Sequence, residues 1–248
     1  MNKTILALLG SFALSTAAHA APIQPCPGGK TYADYITLTS CLLGDKAFSN
    51  FDLRLGPNTG AATIPKANQI TVTPLTPALN PGLRFTGNPP FQSPPPPGPP
   101  SFYSYRFIYN VRVQAGGASI TDASLAMAMP TVTADGSVTI NELICLGAVF
   151  ESKGVCAGGA PMVTLSVFDT PMGVTLSDTT NFAQPYRLIG TETLLTADVG
   201  TKGSVSVDSF TEQFSETAVP APEPGSLVML AVGLAAFAVA QLGAAKAT

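Results

Sequence analysis

The chain has 248 residues with 12 Lys and Arg against 15 Asp and Glu, and charged residues make up 11% of it, against roughly 25% in ordinary soluble domains. Residues 21–220 carry 10 basic and 14 acidic side chains and lack the clustered Lys and Arg that displace phosphate counterions, so nucleic acid is excluded as a partner. The one histidine is His19 and there is no tryptophan; once the front segment is removed, Ser-His-Asp and Cys-His catalysis, HExxH metal sites and Cys/His zinc sites are excluded together.

At the front, Lys3 precedes an apolar run from Ile5 to Ala18, and Ala18-His19-Ala20 has the small-x-small pattern that signal peptidase cleaves, so the mature chain is expected to begin at Ala21. The run is shorter than the ~20 residues a membrane span needs, which favours a cleaved signal over an anchor. Residues 21–88 read as the N-terminal part of a β body. Within it Thr31 to Cys41 suits a short helix, with Tyr32, Tyr35 and Ile36 at helical spacing, and Ile70 and Val72 alternate as a strand. Residues 89–100 hold eight prolines. Such a run is polyproline II, about 3.1 Å per residue and roughly 37 Å in all, and is expected not to join a sheet. It is either a spacer or a long exposed loop within one sandwich.

The main antiparallel region is expected over residues 101–217. From Phe102 to Val113 the chain alternates, with Tyr103, Tyr105, Phe107, Tyr109, Val111 and Val113 on one face and Ser104, Arg106, Asn110 and Arg112 on the other. Ser119 to Met129 reads as the next strand. Asp135-Gly136 then stands between Thr131-Val132-Thr133 and the run Val138 to Cys145, where it has the chemistry of a tight hairpin turn. Val163/Leu165/Val167 and Val205/Val207 alternate likewise. Many short strands between turn signals imply an all-β body, an antiparallel β-sandwich or jelly-roll-like fold.

Four cysteines in an exported chain read as two disulfides, and the local pairs Cys26 with Cys41 and Cys145 with Cys156 are favoured because each lies in one segment, the second beside the flexible Gly154 and Gly158-Gly159 region. A four-cysteine zinc site lacks a CxxC knuckle. Asp135, Asp169 and Asp178 fall in expected turns, but no DxDxDG loop accompanies them, so no metal and no cofactor is expected.

At the rear, residues 225–245 carry no charge; as a helix they would extend about 31 Å, enough for the ~30 Å hydrocarbon core. Directly before them stands Pro222-Glu223-Pro224. The coincidence of signal peptide, this triplet and a terminal span resembles the PEP-CTERM proteins, exported bacterial proteins whose tail is processed by an exosortase. Internal segments such as Thr31-Tyr32-Ala33-Asp34-Tyr35, Asp45 to Ser49 and Ile120 to Leu125 add to the likeness. The resemblance implies that Pro222, Glu223 and Pro224 are the recognition residues. It also implies an inner-membrane-anchored precursor held by residues 225–245, then delivery to the cell surface or outside, with signal peptidase and exosortase as processing partners. Lys246 is the one basic residue after the span, where the family ends in an arginine cluster, and a plain single-pass anchor is the other reading of the tail.

The family is associated with exopolysaccharide, so the resemblance implies a non-enzymatic surface or matrix role. Two alternatives rest on residues. A carbohydrate-binding adhesin would use Tyr103, Tyr105 and Tyr109 as a stacking ladder, although the polar opposite face makes that stripe better suited to a core. A glycan enzyme would use Glu142 and Glu151, which flank Cys145, as an acid and base pair. No spacing singles out such a pair, and the expectation is a protein without catalytic residues.

Overall fold

Tyr103, Phe107 and Val111 can be buried together only if the strand that carries them lies against a second apolar layer, and that requirement organises the molecule. The computed structural model describes residues 22–59, 65–77, 79–93 and 101–216. Its strands in chain order are β1 (Lys30–Thr31), β2 (Ser40–Leu43), β3 (Lys46–Thr59), β4 (Ile70–Leu75), β5 (Gly82–Ser93), β6 (Phe102–Val113), β7 (Ile120–Thr133), β8 (Ser137–Leu146), β9 (Phe150–Ser152), β10 (Val155–Cys156), β11 (Met162–Thr170), β12 (Gly173–Thr175), β13 (Ser177–Tyr186), β14 (Leu188–Asp198) and β15 (Ser204–Glu216). A short helix, α1 (Tyr32–Thr37), follows β1.

Two antiparallel sheets form the sandwich: a seven-stranded one ordered β12-β11-β8-β14-β6-β3-β2 and a six-stranded one ordered β1-β4-β5-β15-β7-β13. Strands β9 and β10 make a separate hairpin. The residues before and after the proline run contribute strands to both sheets, so the run joins β5 of one sheet to β6 of the other within a single sandwich.

The inner faces meet through aromatic rings. Phe107 on β6 lies 5.3 Å from Phe85 on β5 and 5.0 Å from Phe210 on β15, and Phe85 stacks on Phe210 at 4.9 Å. These spacings are within the range where aromatic pairs add to simple burial. Helix α1 closes one end of the layer. Its N-cap Thr31 and Asp34 form a reciprocal capping box, and Tyr32 reaches inward to place its ring 5.4 Å from Phe107 and donate from its hydroxyl to the carbonyls of Asp52 and Ile108. Tyr32 and Tyr35 are buried as the helical spacing suggests, whereas Ile36 faces outward.

Three expectations are corrected. First, Asp135-Gly136 does not close a hairpin. Strand β7 pairs with β13 and β15, β8 pairs with β11 and β14, and the turn carries the chain from one sheet to the other. The left-handed residue is Ala134, at φ 51°. The Asp135 carboxylate accepts from Thr201 N (2.8 Å), Thr201 Oγ1 (2.7 Å) and Lys202 N (2.9 Å), which ties this crossing to the one between β14 and β15. Those donors, the Thr201 hydroxyl first, hold its carboxyl well below the usual range. An Asp in a turn thus serves as a clasp between corners rather than as a hairpin former.

Second, Thr131-Val132-Thr133 belongs to the same strand as Ile120 to Met129. Third, residues 89–93, the start of the proline run, lie in β5. Residues 82–86 and 91–93 both pair with β15, and the prolines Pro89 and Pro90 fall in the stretch between, where β15 asks for no ladder hydrogen bond. Phe91, fully buried beside Tyr105 at 5.5 Å, draws this end of the run into the sandwich. Residues 94–100 lie outside the described ones.

Phe107→Ala removes the ring common to both sheets and is expected to cost about 3–5 kcal/mol. The midpoint of urea unfolding checks this, with Ile36→Ala as the exposed comparison expected to move it little.

Candidate functional site

The outer face of the seven-stranded sheet carries an unusual concentration of charge for so uncharged a chain. On β3 and β6, Arg54 and Arg106 are directly opposed cross-strand neighbours, a pairing of like charges that costs stability by itself. Glu192 on β14 offsets it with an ion pair to Arg106, and Asp52 offsets it with an ion pair to Arg54 at 2.7 Å. Glu192 is 1% exposed and Arg106 12% exposed, so that pair is taken out of water on what would otherwise be an open sheet face. Burial and then the neighbouring Arg54 push the Arg106 guanidinium below its ordinary value.

The cover is the β9–β10 hairpin. Cys145 on β8 is disulfide-bonded to Cys156 on β10, Ala157 N donates to Val149 O at 2.9 Å, and Gly154 N donates to Glu192 Oε2 at 3.1 Å. The approach is close enough that β14 needs a glycine beneath it: a Cβ at Gly190 would lie 2.9 Å from Val149 Cα. Lys153, exposed at the hairpin tip, makes no ion pair among the described residues.

Three adjoining cavities open between hairpin and sheet, and Lys153 lines all of them. One, of about 210 Å³, is walled by Arg54, Arg106, Lys153, Ser104 and Leu194 and has no carboxylate among its described lining residues. The next, of about 380 Å³, has Leu143 and Leu194 as apolar surface with Asn141, Thr164 and the Arg106–Glu192 pair around them. The third, of about 230 Å³, lies toward Phe150 and Glu151. This arrangement suits holding a polar ligand with an anionic group. It is poorly arranged for acid–base chemistry, because Glu192 is engaged by Arg106 and Gly154, leaving Glu151 as the other carboxylate in these walls.

The sequence-derived candidates fall elsewhere. Tyr103, Tyr105 and Tyr109 are fully buried on the inner face of β6, so the stacking ladder does not exist on the surface. Tyr105 donates to Pro65 O at 2.9 Å and Tyr109 to Glu212. Glu142 and Glu151 do not form a pair: Glu142 points into the sandwich among Val138, Ile140 and Ile144, while Glu151 is exposed on the hairpin outside. Asp135, Asp169 and Asp178 are dispersed, with Asp178 accepting from Ser166 N at 2.8 Å. Among the described residues no group of three His, Cys, Asp or Glu could hold a metal ion. Both expected disulfides, Cys26–Cys41 and Cys145–Cys156, are formed, as in proteins of an oxidising compartment. Ala18, Ala20, Ala21, Pro222, Glu223, Pro224 and the span 225–245 lie outside the described residues, and among those described no helix is long and apolar enough to cross a membrane.

One polar cluster went unread in the sequence. Glu142 on β8 and Glu212 on β15 face each other across the sandwich, both fully buried, with Tyr109 donating to Glu212 and Thr193 beside them. Neither Glu142 oxygen has a hydrogen-bond partner among the described residues. Burial, then the charge of Glu212, pushes the Glu142 carboxyl up; burial raises Glu212 to about 7 while Thr193 and Tyr109 pull it back. Two buried carboxyls facing each other in low-dielectric surroundings favour their protonated forms over a pair of charges. The available signal was an acid at alternating spacing inside an apolar face: Phe210-x-Glu212-x-Phe214 and Ile140-x-Glu142-x-Ile144.

No family model and no curated protein matches the chain. A solved structure of the carbohydrate-binding module TmCBM61 in complex with β-1,4-galactotriose is similar over 68% of this chain and 90% of that one, at 10% identity and a TM-score of 0.30, a likeness too low to carry an argument. The class is therefore defined by the molecule itself: a disulfide-stapled antiparallel β-sandwich with a charged, hairpin-covered outer face.

Because the folded carboxyls of Glu142 and Glu212 sit above their unfolded values, the native state binds more protons, and stability falls as pH rises from about 4.5 through about 7. Denaturant midpoints at pH 5 and pH 8 are expected to show that loss. Glu142→Gln is expected to reduce the loss and to raise the denaturant midpoint at pH 8; a variant less stable at pH 8 contradicts the account of raised carboxyls.

Proposed function

We propose that this is an exported cell-surface or extracellular-matrix protein with a non-enzymatic role linked to exopolysaccharide. In this reading signal peptidase cleaves before Ala21, residues 225–245 hold the precursor in the inner membrane, and an exosortase acts at Pro222-Glu223-Pro224. The observation that carries it is a sandwich closed by two disulfides whose last strand ends at Glu216, six residues before the Pro-Glu-Pro triplet. Disulfides of this kind form and persist in oxidising surroundings and are rare in the cytosol.

A carbohydrate-binding adhesin is the second reading, and its supporting observation is the charged basin under the β9–β10 hairpin rather than any tyrosine. Intact mass of the protein recovered from cell-surface and extracellular fractions tests the first reading. The expected product starts at Ala21, ends near Pro222 and is lighter than the reduced chain by the mass of four hydrogen atoms. A full-length chain with reduced thiols in the cytosol overturns it.

A further inference from the structure

We infer that the basin on the outer face of the seven-stranded sheet binds an acidic polysaccharide, with a carboxylate-bearing sugar seated between Lys153, Arg54 and Arg106. The inference rests on the polysaccharide-linked role given above and names the ligand class and the site.

The charge arrangement is the starting point. Arg54 and Arg106 are held opposite one another on neighbouring strands, and Lys153 is brought over them by a hairpin that a disulfide fastens to β8. Three cations therefore wall a cavity of about 210 Å³ with no carboxylate among its described lining residues, in a body that carries a net excess of acids. Glu192 answers Arg106 and Asp52 answers Arg54, so the unmatched charge is that of Lys153. An anion entering the cavity supplies its missing partner, with Arg54 and Arg106 as further donors.

The fixed geometry is a second, independent observation. A buried ion pair contributes little net stability, because desolvation consumes most of the Coulombic gain. Here the Arg106–Glu192 pair holds the guanidinium at one place, and the Gly154 N–H bond to the same carboxylate sets the hairpin that carries Lys153. A group positioned before the ligand arrives loses less entropy when it binds.

The neighbouring cavity decides for a sugar acid over a bare anion. Its volume of about 380 Å³ is that of a small-ligand site, and it joins the cationic one through Arg106, Lys153 and Leu194. Leu143 and Leu194 offer an apolar surface to one face of a pyranose ring, while Asn141 and Thr164 are placed to meet its hydroxyls. Another depression, about 700 Å³ on the outer face of the six-stranded sheet, has Arg84 as the one charged residue among its described lining.

The test uses the mature exported protein and two defined polymers, sodium polygalacturonate and an uncharged galactan, in affinity electrophoresis and calorimetry. Binding to polygalacturonate that weakens with added salt is expected, with a tenfold or greater loss in Lys153→Gln and in Arg54→Gln and no change in Arg84→Gln. Unfolding midpoints of the variants equal to the parent's exclude misfolding as the cause. Equal binding of both polymers, or binding indifferent to Lys153 and Arg54, overturns the inference. If neither polymer binds, the uronate assignment falls, and co-purification with the cell's own exopolysaccharide then separates the two claims: the broader role stands where co-purification persists and falls with the site where it is lost.

Discussion

The structure depends on the packing of one aromatic strand face against two others. Strand β6 presents Tyr103, Tyr105, Phe107 and Tyr109 inward, and Phe85, Phe91 and Phe210 from β5 and β15 fill the space facing them. Rings of this size bury enough apolar surface to hold two sheets together in a chain poor in charge and nearly without helix. Since side chains in a strand alternate with period two, committing the odd positions of β6 to that layer commits Ser104, Arg106 and Asn110 to the other side. The charged basin is thus a geometric consequence of where the rings go.

The two faces of the seven-stranded sheet treat ionisable groups in opposite ways. Inside, Glu142 and Glu212 have no ion pair among the described residues, and the low-dielectric surroundings favour their neutral forms. Outside, Glu192 is as thoroughly buried but has Arg106 and a backbone N–H against it. Thr193 and Glu192 are consecutive in β14, so neighbouring residues of one strand contribute to a proton-holding cluster on one face and an ion pair on the other.

Much of the local structure was legible because it depends on local chemistry. The capping box at Thr31 and Asp34, the alternation over Phe102 to Val113, and the pairing of cysteines 15 and 11 residues apart all involve residues close in the chain. Pairings between distant segments were not legible. Asp135-Gly136 has hairpin chemistry, yet its flanking strands belong to different sheets, since turn chemistry reports that the chain reverses and not which neighbour it then meets. Prolines 89 and 90 read as leaving the sheet, but Phe91 sits in the core, and burial of a ring outweighs the lost donors where a gap in the ladder needs none.

The candidate site divides in the same manner. Arg106 was visible as an outward polar residue of a strand, but Arg54, Glu192 and Lys153 lie 52, 86 and 47 positions from it in the chain, and no pattern along the sequence brings them together. Sequence by itself determined the all-β character, the inward aromatic face and the local disulfide pairs, because composition and near-neighbour spacing set each of these. Only the tertiary structure decided the strand order, the meeting of Glu142 with Glu212 and the approach of Lys153 on the hairpin to Arg54 and Arg106 on the sheet. Those depend on which distant strands pair and in what register, a choice made by the collective packing of both sheets.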